Sequence, residues 1–170
     1  VNYTLVGAFV IGLGALLIAI ALWIAAGGAL RQKVDLYQAI LDESVAFARE
    51  RKQFGKRIGD FQLVQAMLAD AQAELYAGWT MVQDCAQRYD AKGGPGVSNP
   101  DVSMRASCCK LFCTEMVGRV ADRGVQVHGG SGYINEYPVE RFYRDVRLLR
   151  LYEGTTQIQA LDLLGRKIMQ

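Results

Sequence analysis

The chain has a single histidine, His128, and none of its four cysteines stands in CxxC spacing. Both facts argue against a zinc site, which needs thiolate and imidazole ligands clustered at short spacing. The formal net charge is only +2 over 170 residues, so there is no basic footprint for nucleic acid. Charged residues are missing altogether from positions 1–30. With no basic region ahead of the apolar run, a cleaved signal peptide is disfavoured. No segment alternates in the manner of a strand, and no internal repeat shows. What the chain does have is apolar residues, 51% of the total, enough for one domain with a real core. Cys85, Cys108, Cys109 and Cys113 read as free thiols of a reducing compartment. Cys109 and Cys113, one helical turn apart, fall on one helix face.

The uncharged run at 6–26, VGAFVIGLGALLIAIALWIAA, meets the length of about 20 apolar residues that a membrane span needs. Glycines are common in such helices, and Trp23 suits an interface. Arg31 and Lys33 follow directly, which puts the C-terminal side in the cytoplasm. The expectation is an inner or cytoplasmic membrane location through residues 6–26, with a cytoplasmic domain. The alternative is a buried central helix, hence a cytoplasmic protein, although a soluble helix nearly always shows a polar face.

Beyond this run the periodicity turns helical. Val34, Tyr37, Leu41, Val45 and Ala48 recur at spacings of three and four and predict a helix over 34–53, with Gly55 as its stop. Asp60 is a candidate N-cap for a second helix to residue 91, striped by Val64, Leu68, Ala71, Leu75, Val82 and Ala86. The stretch Gly93–Pro100 is dense in turn residues, and Pro100 suits the first turn of a third helix to His128. Its stripe is Cys109, Phe112, Met116, Val120 and Val127. Gly129 and Gly130 end it. Pro138 opens a short helical piece to Arg144, and Thr155 caps a last helix with Ile158, Leu161 and Ile168 inward. The expected fold is all-α: a four-helix bundle over 31–170, preceded by an apolar, transmembrane helix within 1–30.

Three blocks carry chemistry. Leu151-Tyr-Glu-Gly-Thr-Thr-Gln-Ile-Gln159 puts one carboxylate, Glu153, in a glycine turn ahead of a helix. Gln126-Val-His-Gly-Gly-Ser-Gly-Tyr133 ends a helix in glycines. Arg49-Glu-Arg-Lys-Gln-Phe-Gly-Lys56 presents cations and an aromatic ring. Each has an ordinary reading too. A glutamate before a helix is usually a solvated turn residue or a cap. An arginine at a helix end suits the helix dipole, and so does His128, which gets no catalytic role.

In this order and spacing the blocks resemble the C-terminal helical domain of the flavin-dependent acyl-CoA dehydrogenases, from about Val34 to Gln170. The resemblance implies an FAD cofactor, an acyl-CoA substrate and a homo-oligomer. It implies that Glu153 removes the α-proton of the thioester while the flavin accepts the β-hydride. It assigns Arg51 to the FAD pyrophosphate of a neighbouring subunit, with Phe54 packed beside it, and Gln62 to a further polar contact. Gln126, Gly129 and Gly130 match the turn that receives the adenine side, and Thr155 and Gln157 the side facing the flavin. Some members carry the base on the first helix, and CoA contacts also fall there. The matching stretch here, Leu22–Ala26, is apolar, which leaves Glu153. The family's N-terminal helical domain and β-domain have no counterpart in these residues, so the bundle alone is expected to be inert. One alternative is a membrane-anchored, non-catalytic helical assembly module; another follows from the opening Asn2–Val10, which resembles the anchor of MCE-type lipid-transport proteins and would make the chain such an anchor fused to enzyme sequence.

Overall fold

The computed structural model of the chain describes residues 28–91, 94 and 99–169, with side chains from residue 37 onward. The span expected at 6–26 lies outside the described residues. Among the described residues no helix is long and apolar enough to cross a membrane. The chain divides into two compact units, Val1–Leu36 and Tyr37–Gln170, and the second is described below.

Helix α1 spans Gly28–Glu50, α2 Gln62–Ala91, α3 Pro100–His128, α4 Val139–Leu148 and α5 Thr156–Asp162. The axis is α3. Helix α2 lies antiparallel to it: Cys85 Sγ meets the Val102 carbonyl near one end, and Arg123 meets Glu74 and Asp70 near the other. Helix α1 runs parallel to α3, with Ile40 and Ser44 against Gly124 and Phe47 against His128. The fourth position of the bundle is shared. Val139, which opens α4, touches Gly124, whereas Leu149, just past its end, meets Lys110. Helix α5 then continues in the same direction, from Thr156 at Glu115 to Lys167 at Ser107. The break between α4 and α5 is the turn that carries Glu153.

The core lies where these elements meet α3: Met116, Val117, Val120, Ala121 and Val127, with Ile40, Leu41, Ala71, Leu75, Val139 and Val146, are all buried. Three expected stripe residues of α3, Met116, Val120 and Val127, are among them. Helix α3 has the expected bounds because its end signals are local. Asn99 Oδ1 accepts from the Asp101 and Val102 amides, Pro100 has no N–H that needs an acceptor, and Gly129 turns to φ 58°. Thr155 likewise caps α5, its Oγ1 accepting from the Ile158 amide.

Four expectations are corrected. Helix α1 stops at Glu50, and residues 52–57 form a hairpin, Lys52–Gln53 pairing antiparallel with Lys56–Arg57. Phe54 and Gly55 both have positive φ, 53° and 83°, the backbone of a type I′ turn. The Arg51 carbonyl therefore accepts from the Ile58 amide across the hairpin instead of continuing the helix. Asp60 sits one place early to cap α2: Phe61 is the residue whose carbonyl accepts from Gln65. Helix α4 runs to Leu148, past the expected Arg144. Ile158, Leu161 and Ile168 are more than half exposed, because no described element covers that face. The chain after Asp162 also widens into a π-helical turn, Leu163–Ile168.

Candidate functional site

The hairpin and the end of α3 enclose an open cleft of about 480 Å³, lined among others by Phe47, Arg51, His128, Gly129 and Gly130. Local structure explains the convergence. Arg51 is the first residue past α1, its amide still bonded to the Phe47 carbonyl at 2.9 Å. Phe47 stacks on His128 at the end of α3, and Tyr137 meets both rings edge-on. His128 is buried, with Nδ1 2.8 Å from the Gly124 carbonyl. Its Nδ1 therefore donates, and Nε2 is a buried acceptor without a partner among the described residues.

Of the residues expected to hold a ligand, this cleft unites Arg51, Gly129 and Gly130. Arg51 is exposed and has no ion-pair partner among the described residues. A Cβ built on Gly129 or Gly130 would meet nothing within 4 Å, so their backbone faces open space and a ligand can approach it closely. Phe54 is at the hairpin tip, 93% exposed. Gln62, first in α2, and Gln126, whose carbonyl accepts from the Gly129 amide, also present exposed side chains. Neither lines the cleft. His128, given no role on sequence, lines it together with Phe47. The ring stack that ties them is long-range and leaves no sequence signal.

Glu153 sits elsewhere. Its turn packs beside Lys110 and Glu115 of α3, whereas the cleft is at His128. Thirteen helical residues separate Glu115 from His128, roughly 20 Å along the axis. Glu153 and Gly154 both have positive φ, 56° and 89°. The Glu153 carbonyl accepts from Gln159 Nε2 at 3.0 Å, and a Cβ on Gly154 would collide with that amide. The Glu153 side chain is exposed, so the burial that would tune a base is not supplied by the described residues. Thr155 is half-buried as the cap, and Gln157 is exposed in the first turn of α5. Phe54 and Glu153 are the two non-glycine residues with left-handed backbone among those described.

All four thiols are free. Cys109 and Cys113 face α2 and donate to the Met81 and Gly78 carbonyls. Burial, with Cys85 and Cys113 close by, pushes the Cys109 thiol up to about 12, and burial raises Cys113 as well.

Fold and loci define a helical domain that presents exposed polar and aromatic groups at two separate places. Comparison with known proteins gives it a family. The family model for the acyl-CoA dehydrogenase C-terminal domain matches residues 14–169, and the chain belongs to that family. The caffeyl-CoA reductase–Etf complex subunit CarC of Acetobacterium woodii is 41% identical over 138 residues, covering 81% of this chain and 35% of that protein. Butyryl-CoA dehydrogenase from Megasphaera elsdenii superposes with a TM-score of 0.70 at 31% identity, over 79% of this chain and 33% of that one. An acyl-CoA dehydrogenase from Bacillus anthracis, solved in complex with FAD, gives 0.71 at 31% identity, over 78% and 25%. The chain thus spans about a third of the length of the curated relatives it matches. The family match starts inside the apolar run. None of these relatives is of the MCE type, and that part of the sequence reading gains no support.

Proposed function

We propose that the chain is the FAD-contacting, self-assembling C-terminal domain of an acyl-CoA dehydrogenase-type flavoprotein, with Glu153 as the base at the α-carbon of an acyl-CoA thioester. The observation that carries this reading is the backbone at Phe54 and Glu153. A non-glycine residue in the left-handed region costs roughly 1–3 kcal/mol, persists where the surrounding structure over-determines it, and clusters at functional sites. Both strained residues are exposed, and both stand in the family's motif blocks.

The fit to FAD rests on Arg51, Gly129 and Gly130. An unpaired planar guanidinium suits a pyrophosphate, and the open glycine backbone admits a close neighbour. Phe54, Gln62, Gln126 and Gln157 complete the set as exposed contacts, with Thr155 half-buried beside them. When bound, FAD supplies the electron acceptor for the β-hydride. The separation of roughly 20 Å along α3 favours Arg51 and Glu153 serving two different cofactor copies, hence an oligomer. Seven large apolar residues between Leu148 and Met169 are 53–74% exposed, more than a free surface usually leaves together. In the oxidising direction Glu153 takes the α-proton. In the reducing direction, that of an enzyme such as the Acetobacterium protein, the same carboxyl returns it. The match to the family from residue 14 favours the second half of the apolar run as part of the helical domain over an anchor.

The test uses the complete, flavin-loaded protein that carries this domain. Glu153→Gln keeps shape but cannot act as a base. Acyl-CoA-dependent flavin bleaching should fall by at least ~10²–10⁴ with flavin still bound. Bleaching at the parent rate would place the base elsewhere. Arg51→Ala should release flavin and loosen assembly first. Flavin held as tightly as in the parent would remove Arg51 from the cofactor site.

A further inference from the structure

The turn that carries Glu153 is short of backbone support. Between Arg150 and Thr156 its ladder is limited to the Leu151 and Tyr152 amides, both bonded to the Leu148 carbonyl. Two successive positive-φ residues follow. Something outside the turn has to hold it.

One tie is local, Gln159 Nε2 to the Glu153 carbonyl; the rest of the support comes from α3, and it centres on one carboxylate. Glu115 Oε1 accepts from Thr156 Oγ1 at 2.6 Å. Its other oxygen, Oε2, lies 3.3 Å from Arg150 Nη2. Arg150 is three residues before Glu153 and Thr156 three residues after it. The same guanidinium also donates from Nη2 to the Glu115 carbonyl and from Nε to the Thr114 carbonyl. Gly118, one turn along α3, makes the seat: a Cβ there would fall on the Arg150 guanidinium. Arg150 and Glu115 are about one-quarter and one-third exposed, so the pair is partly shielded from solvent, where an ion pair is worth more than on an open surface. Lys110 adds a bond to the Leu149 carbonyl on the same side.

We propose that Glu115 is the positioning residue for Glu153: by tying Arg150 and Thr156 with its two oxygens it clamps both ends of the left-handed turn and so sets where the base carboxylate stands. The inference rests on the reading of Glu153 as the base. The clamp does no chemistry itself. It acts on geometry, and a misplacement of about 1 Å costs up to ~10²-fold in rate.

The experiment compares Glu115→Ala, Glu115→Gln and Gly118→Ala in the flavin-loaded protein. Glu115→Ala removes both ties. The glutamine keeps an acceptor for one partner only. Gly118→Ala keeps every polar group but pushes the guanidinium off its seat. Hydrogen exchange of a peptide covering 149–158 should quicken in the order parent, glutamine, alanine, and quicken in Gly118→Ala too. Flavin bleaching should slow in the same order, about ten- to a hundredfold for Glu115→Ala, with KM and bound flavin near parental values. Unchanged exchange in Glu115→Ala and Gly118→Ala overturns the clamp, whatever the base is. Faster exchange with a parental bleaching rate, or a raised KM at parental kcat, overturns the positioning role. If Glu153→Gln itself bleaches at the parent rate, the base assignment falls and the positioning role with it, while the exchange data still report the clamp. Should Glu115→Ala fail to fold, the glutamine and Gly118→Ala decide alone.

Discussion

Phe47 stacks on His128 with ring centroids 4.3 Å apart and planes 25° from parallel. This pair joins the end of α1 to the end of α3 and so fixes the floor of the Arg51 cleft. It contains a liability, because Nε2 of the buried imidazole has no partner among the described residues. A phenyl ring of similar shape removes the buried Nε2 but gives up the Nδ1–Gly124 bond, worth about 0.5–1.5 kcal/mol, so the two nearly offset, whereas deleting a core ring leaves a cavity. His128→Phe should therefore stay within about 1 kcal/mol of the parent, and His128→Ala should lose roughly 3 kcal/mol or more. Denaturant midpoints decide it. Equal losses in both would mean that the imidazole nitrogen, not the ring, matters.

Phe54 is the natural test of strain against function. At the first position of a type I′ turn asparagine is favoured over an aromatic residue, and left-handed backbone costs an L-residue roughly 1–2 kcal/mol. The ring is 93% exposed and touches Phe61 edge-on at 6.4 Å, a contact worth about 0.5–1.5 kcal/mol. Phe54→Asn should thus leave stability unchanged or raise it by up to ~1 kcal/mol while the holoprotein sheds flavin faster. A variant that is clearly less stable and retains flavin would show that the ring serves the fold.

These two positions also show what the sequence could and could not carry. Helix α3 was legible end to end because Pro100 and Gly129 act within one turn of themselves, and the Asn99 cap seen in the structure agrees with them. The hairpin at 52–57 was not, since Phe-Gly lacks the usual turn composition and its helix-like flank hid it. Ile158, Leu161 and Ile168 form a sound apolar stripe, yet a stripe says only that a face is to be covered, not by which element. Arg51, Gly129 and Gly130 were legible from motif blocks and do share a cleft. His128 and Glu115 were not, because each works through partners more than thirty residues away or through a ring stack, and neither leaves a period.

Alkaline pH should loosen the α1–α2–α3 seam. Burial, with Cys113 and Tyr152 adding to it, raises the Tyr37 phenol from 10.0 to about 12. The Cys109 thiol rises from 9.0 to about 12 through burial and its neighbouring thiols. In the unfolded chain both ionise earlier, so above pH 9 the folded state holds more protons and its stability falls as pH rises. The contribution is complete below about pH 9 and is lost on the way to 12. Urea midpoints measured from pH 8 upward should fall for the parent and fall less for Cys109→Ala. Parallel curves would remove Cys109 from the cause.

Gly124 is where α1, α3 and the start of α4 come closest. A Cβ there would lie 3.0 Å from Ile40 Cγ2, 3.2 Å from Ser44 Oγ and 3.2 Å from Val139 Cγ2. Two effects oppose each other. Alanine in a helix interior gains about 1 kcal/mol over glycine, while forcing extra carbon into a packed core costs typically 1–3 kcal/mol. Here all three neighbours must give by a few tenths of an ångström, and Ile40 and Val139 are themselves fully buried, so they have little room to yield. Packing should win narrowly for Gly124→Ala, a loss of roughly 0–2 kcal/mol. For Gly124→Val the propensity gain shrinks and two more methyls must be housed, so the loss should exceed the alanine value by at least ~1 kcal/mol. Because Phe47 lies on the same helix as Ile40 and Arg51 follows directly after it, the valine variant should also weaken flavin retention. Urea denaturation with flavin release measured on the same samples would decide this. A valine variant as stable as the parent would mean that α1 is free to back away from α3, and that the cleft does not depend on their close approach.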